Sequence, residues 1–103
     1  MQFLLPHLQD MILAERFLLR AGYHSHTDPR TGERSLARRL SSVGHYPRYH
    51  VYLDVRSEGA RVNLHLDQKQ PSYGAGSHAH AGEYEGAVIE RERDRILSLV
   101  PSV

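Results

Sequence analysis

The sequence predicts an α+β domain of order α-β-β-β-α, in which an antiparallel sheet carries two helices on one face and leaves a polar face open. Three observations predict it. Residues 49–68 alternate apolar and polar side chains with period 2 on both sides of a turn, a stretch of helical period precedes them, and a second such stretch, dense in charge, follows. The 103 residues read as one domain, long enough for a single modest core and too short for two.

The first helix is read from Pro6, which suits a first helical turn, to Gly22, which fits just past a last one. Leu8, Met11, Ile12, Leu18 and Leu19 form its apolar stripe, widened by Leu13, Ala14 and Phe17. Asp28-Pro29-Arg30-Thr31-Gly32 then has the residues of a tight turn, with φ fixed at the proline and free at the glycine. Residues 35–42 fit a helix by composition and a strand by the alternation of Leu36, Arg38 and Leu40 with Ala37 and Arg39. Strand is preferred, because a lone two-stranded hairpin is marginal and needs a third neighbour. Residues 44–47 turn the chain into that hairpin.

Within the hairpin, Val51, Leu53 and Val55 alternate with His50, Tyr52 and Asp54, and Val62, Leu64 and Leu66 alternate with Asn63, His65 and Asp67. With Glu58-Gly59 as a two-residue loop, the register pairs Val55 with Val62, Leu53 with Leu64 and Val51 with Leu66 on the buried side. The other side pairs Asp54 with Asn63, Tyr52 with His65 and His50 with Asp67. Such a face normally shows water lysine, threonine and glutamate, so imidazoles, carboxylates, a phenol and an amide in those positions point to a site. Residues 70–86, rich in glycine, serine and alanine, read as a flexible surface loop. The last helix is read from about Gly86 to Val100, with Ile89, Ile96, Leu97 and Val100 on one face and residues 90–95 as a solvated charged band.

Composition narrows the function classes. Without cysteine there is no disulfide scaffold, thiolate nucleophile or cysteine-based zinc site, which suits a reducing cytoplasm. Residues 1–5 are apolar, but Pro6, His7, Gln9 and Asp10 interrupt any signal-peptide core. No apolar run approaches the roughly 20 residues of a membrane span, so a cytoplasmic protein with no membrane partner is expected. A net charge of +1 conceals segregation, since residues 16–61 carry nine arginines against Asp28, Glu33, Asp54 and Glu58. Arginine grips phosphate bidentately and stacks on bases, although a GC-rich genome also writes arginine in place of lysine.

Two chemistries compete for the polar face. In the first, Asp67 fixes the tautomer of His50 and raises its pKa toward neutrality, as suits a general base. Arg38, Arg39 and Arg48 then hold a phosphate while Tyr46, Tyr49 and Tyr52 stack bases, the set that RNA binding or metal-independent RNA cleavage requires. His65 completes the candidate catalytic group of His50, His65 and Asp67, and a closing loop would bring Glu83 and Tyr84 over it as a lid. The structural alternative is a cross-strand His50–Asp67 pair worth under about 1 kcal/mol, with Glu83 and Glu85 merely favouring the positive end of the last helix. In the second chemistry, His50, His65 and Asp67, joined by His78 or His80, ligate zinc or another divalent first-row ion. Eight histidines favour it; the lack of a His-Glu-x-x-His or His-x-His-x-Asp-His cluster does not. A third reading has no chemistry: the face pairs with its copy in a homodimer.

Tyr46-Pro47-Arg48-Tyr49-His50, Asn63-Leu64-His65-Leu66-Asp67-Gln68-Lys69, Pro71-Ser72-Tyr73, and His80 with Gly82-Glu83-Tyr84-Glu85-Gly86 resemble a family of short uncharacterised bacterial proteins. The likeness spans roughly residues 11–97. It implies a compact bacterial domain and transfers no role to any residue. More loosely, a helix ending Ala21-Gly22-Tyr23, three strands with a histidine entering the middle one, and a closing helix are similar to small toxins of the HicA kind. That resemblance implies a double-stranded-RNA-binding-domain-like fold and places His50 where those toxins carry an RNA-cleaving histidine. The chain departs from them in lacking their lysine-rich character and in the long glycine-rich segment before its last helix.

Overall fold

The structure, a computed structural model, describes residues 1–44, 46–68 and 78–101, and for residues 78–85 the backbone alone. Among these residues the order is β1 (Gln2–Pro6), α1 (Met11–Arg20), β2 (His24–Thr27), β3 (Arg34–Arg39), β4 (Arg48–Arg56), β5 (Gly59–Asp67) and α2 (His78–Ser98). The five strands make one antiparallel sheet in the order β1-β5-β4-β3-β2. The expected helix, three strands and helix are all there, and an edge strand has been added on each side.

The first addition replaces the expected start of α1. Residues 2–6 complete the outer edge of β5, where the Met1 amino group donates to the Leu64 carbonyl at 2.9 Å and the Leu64 N–H donates to Met1 at 2.7 Å. Phe3 and Leu5 lie opposite Val62 and Ala60, and Pro6 ends an edge strand, where a missing N–H leaves no ladder bond unmade. α1 therefore starts at Met11, capped by the Asp10 carboxylate, which accepts from the Ile12 N–H at 2.7 Å. Its buried arc is centred on Ala14, Phe17, Leu18 and Ala21, while Met11, Ile12, Leu13 and Leu19 of the expected stripe face water.

β2 and β3 form a hairpin around the expected Asp28–Gly32 turn. The Asp28 carboxylate accepts from the N–H groups of Arg30 and Thr31 at 2.7 and 3.2 Å, and Gly32 takes a φ of 74°. Residues 34–39 are strand, as the alternation of Leu36 with Ala37 implies.

The central hairpin keeps its predicted faces but not its predicted register. Ser57 and Glu58 form the loop and Arg56 pairs with Gly59, so Val51 lies opposite Leu64, Leu53 opposite Val62, His50 opposite His65 and Arg48 opposite Asp67. The slip is two residues on the partner strand, and a shift of two returns every side chain to the same face. Gly59 belongs to the strand for a reason outside the hairpin: it holds a φ of 147°, and a Cβ there would collide with the Leu5 carbonyl oxygen of β1.

Leu5, Leu36, Tyr49, Val51, Ala60, Val62, Leu64 and Leu66 line the apolar face of the sheet and join Ala14, Phe17 and Leu18 of α1 and Val88 and Ile96 of α2 in one core. Each such aliphatic side chain contributes about 1.5–3 kcal/mol when fully buried, more than the cross-strand pairs of the polar face supply. α2 begins at His78, so residues 78–85, expected in the loop, are helical, whereas residues 69–77 lie outside the described ones. Ala79, Ala81, Glu83, Glu85 and Ala87 are strong helix formers, and they outweigh Gly82 and Gly86 at about 1 kcal/mol each.

The charged band of α2 is not wholly solvated either. Glu92 is 3% exposed, and its carboxylate accepts from the Tyr23 hydroxyl at 2.6 Å, from Arg95 at 2.8 and 2.9 Å and from Arg38 at 3.4 Å. Among the described residues no helix is long and apolar enough to cross a membrane.

Candidate functional site

The polar face is laid out in ranks by the strand register. His24, Ala37, His50 and His65 occupy one rank across β2, β3, β4 and β5. The next rank begins with His26 opposite Ser35 and continues with Tyr52 opposite Asn63. On the other side of the histidine rank, Arg39 pairs with Arg48 and Arg48 with Asp67.

His50 sits at the centre and is only 9% exposed. Its Nδ1 lies 2.9 Å from Asp67 Oδ2 and its Nε2 lies 2.6 Å from Ser35 Oγ. A carboxylate only accepts, so Nδ1 carries the proton and donates to Asp67; Nε2 is then the ring's lone pair and accepts the Ser35 hydroxyl. The hydroxyl also lies 3.4 Å from the His26 carbonyl, a longer and weaker alternative for its single proton. Arg48 steadies the carboxylate through Nε at 3.4 Å and lays its guanidinium over the Tyr46 ring at 4.9 Å.

The electrostatics of His50 run opposite to the expected direction. Burial lowers its pKa, Asp67 opposes that shift by charge and by hydrogen bond, and burial wins. His50 is therefore a neutral base at pH 7. Tyr52 is pushed the other way, above the usual phenol range, first by burial and then by the negative charges of Glu33, Asp67 and Asp28, so its hydroxyl keeps its proton.

Rings run across the face in series. The His26 and His50 centroids are 5.6 Å apart at an interplanar angle of 79°, His50 and Tyr52 are 4.9 Å apart at 37°, and Tyr52 and His65 are 6.0 Å apart at 76°.

The structure thus brings together His50, Asp67, Arg48 and Tyr52, with exposed His65 beyond Tyr52 and exposed Arg39 at the rim, where it reaches the Gly44 carbonyl at 3.4 Å. Arg38 is a correction. It projects through the apolar face, over the Tyr49 ring at 5.7 Å and toward Glu92, and takes no part in the polar face. Neighbouring strand residues point to opposite faces, so Arg38 and Arg39 cannot share an anion. The same alternation places Ser35 beside Ala37 and Arg39, the one sequence signal for a residue that the expected site omits. His26 was hidden because β2 is too short to show a period.

For a metal, His50 is a poor donor, since both ring nitrogens are engaged. Among the described residues no group of three or more His, Asp or Glu side chains is placed to hold one. The side chains of His78, His80, Glu83 and Tyr84 lie outside the described ones. No family model, curated protein or solved structure matches this chain.

Proposed function

We propose that the polar face binds a phosphate-bearing ligand, single-stranded RNA, by stacking bases on its ring series and pairing phosphates with its rim arginines. The observation that supports this most directly is the run His26–His50–Tyr52–His65, a set of rings carried by β2, β4 and β5 on the side of the sheet opposite the one where the described residues of α1 and α2 join the core. Bases stack on such platforms with little regard to sequence, at about 1–3 kcal/mol per base. Arg39 and Arg61, both exposed, lie on the same face at opposite ends of it, as Arg39 pairs with Arg48 and Arg61 pairs with Asp54. Their charge supplies the salt-dependent part of the affinity.

The test is fluorescence anisotropy with a labelled 12-nucleotide single-stranded RNA at low and physiological salt. Binding that weakens steeply with salt is expected. Tyr52→Ala should loosen it about tenfold, the equivalent of one lost stacked base, and Arg39→Ala should lower the salt slope by about one unit. Absence of binding at low salt, or an unchanged affinity in Tyr52→Ala, would overturn the reading.

A further inference from the structure

The relay Asp67–His50–Ser35 has a use that ligand binding does not require. We infer that Ser35 is a nucleophile for carboxylic esters, activated by His50 and oriented through Asp67, on the evidence of two consecutive hydrogen bonds of 2.6 and 2.9 Å running from hydroxyl to imidazole to carboxylate. The roles follow from the atoms. Asp67 accepts from Nδ1–H, which leaves the Nε2 lone pair aimed at the Ser35 hydroxyl, and that pair of contacts defines the serine–histidine–aspartate arrangement whatever fold carries it.

The three residues come from three adjacent strands: Ser35 from β3, His50 from β4 and Asp67 from β5. Their spacing is set by backbone ladders and not by loops, which favours a fixed geometry. Arg48, at 3.4 Å from the same Asp67 oxygen, holds the carboxylate in place. The Ser35 side chain shares its face with Ala37, which adds only a methyl beside it, and its rank is flanked by the His26 imidazole and the Tyr52 phenol. These are the side-chain donors nearest in register for charge developing on a carbonyl oxygen. Ser35 is 6% exposed, so the ester must approach from above the sheet, on the side where only β2, a four-residue edge strand, lies beyond β3.

The step balances with water alone. As the Ser35 Oγ–C bond forms, its proton passes to His50 Nε2. The tetrahedral intermediate then breaks its bond to the alcohol, which leaves with that proton; a water molecule repeats the sequence on the acyl-serine and releases the acid. An ester is preferred over a phosphodiester because it develops a single negative charge, whereas the guanidinium that touches the relay, Arg48, is already engaged with Asp67 and Tyr46.

The probe is a fluorophosphonate, whose phosphorus takes the serine oxygen and expels fluoride. The full chain should gain one adduct, mapped by peptide mass spectrometry to Ser35 and absent in Ser35→Ala. Asp67→Asn and His50→Gln should each slow labelling at least about 100-fold, with circular dichroism confirming that the variants fold. If one of the two unfolds, the other decides. No adduct on folded wild-type protein, an adduct elsewhere, or labelling of Ser35 at an undiminished rate in a folded Asp67→Asn or His50→Gln variant would overturn the inference. RNA binding is read by a different assay, so either reading can fail alone.

Discussion

Glu92 is a carboxylate taken out of water, and its surroundings decide whether that costs or contributes stability. Two guanidiniums and a phenol meet its two oxygens, and Arg95 also reaches the Ala21 carbonyl at 2.7 Å, so the group that fastens α2 to the end of α1 is fully hydrogen-bonded. Burial, reinforced by the Glu92 contact, pushes the Tyr23 hydroxyl far above its usual range, and it stays a donor at any accessible pH. Removing partners should therefore be graded. Tyr23→Phe, which deletes one bond to a charged acceptor, should lower unfolding free energy by about 1.5–3 kcal/mol. Glu92→Ala, which takes the acceptor from the buried Tyr23 hydroxyl and from the half-buried guanidiniums of Arg95 and Arg38 at once, should cost more than Tyr23→Phe, by roughly 1–3 kcal/mol. Urea denaturation of the two variants measures this, and equal losses would mean that the charges add nothing beyond the phenol contact. Arg38 belongs to the same cluster: its side chain passes Gly22, where an added Cβ would lie 3.4 Å from its Nε.

At the scale of elements, Gly59 shows how far a hairpin can be understood by itself. The strands of β4 and β5 and their two faces were legible, because Val51, Val62 and Leu64 recur with period 2 and the buried ranks outweigh every polar pair. The register was not. It depends on β1, whose Leu5 carbonyl oxygen fills the space that a Cβ on Gly59 would need, and five residues ending in proline carry too little periodic signal to announce a strand. For the candidate site the consequence was small: a two-residue slip preserved the shared face of His50 and Asp67 and changed only which of their neighbours lie opposite. Ser35 lay outside the expected site because a single serine on a short strand carries no chemical mark until a histidine is placed against it. The contact makes a testable contrast. Gly59→Ala places a Cβ against backbone at positive φ and should destabilise by about 1–3 kcal/mol for the overlap, with backbone strain in addition. Gly32→Ala, also at positive φ but with nothing within 4 Å, should lose only the strain, about 1–2 kcal/mol. Equal shifts in the urea midpoints of the two variants would show that β1 does not seat on Gly59.

For the whole molecule, His50 ties three strands together, and its protonation bears on global stability with a sign that its carboxylate neighbour would not suggest. A histidine bonded to Asp67 and exposed would be harder to deprotonate when folded, and acid would stabilise the protein. Here burial dominates, Asp67 opposes it, and the positive charges of Arg48 and His26 act in the same direction as burial, so the folded pKa lies below the ordinary 6.5. Between those two values the unfolded chain binds a proton that the folded chain does not. The contribution of His50 is thus fully present above about pH 6.5 and declines as pH falls toward the folded value, below which it is constant. Acidification also removes the lone pair that accepts the Ser35 hydroxyl, so loss of stability and loss of the relay share one titration. Urea unfolding of wild type and His50→Gln at pH 7.5, 6.5 and 5.5 isolates the effect from the other histidines, which both proteins retain. The variant should be the less stable at pH 7.5, and the gap should narrow as pH falls, because only wild type can take up that proton. Parallel curves would mean that His50 titrates alike in both states, and a gap widening in acid would mean that Asp67, not burial, sets its charge.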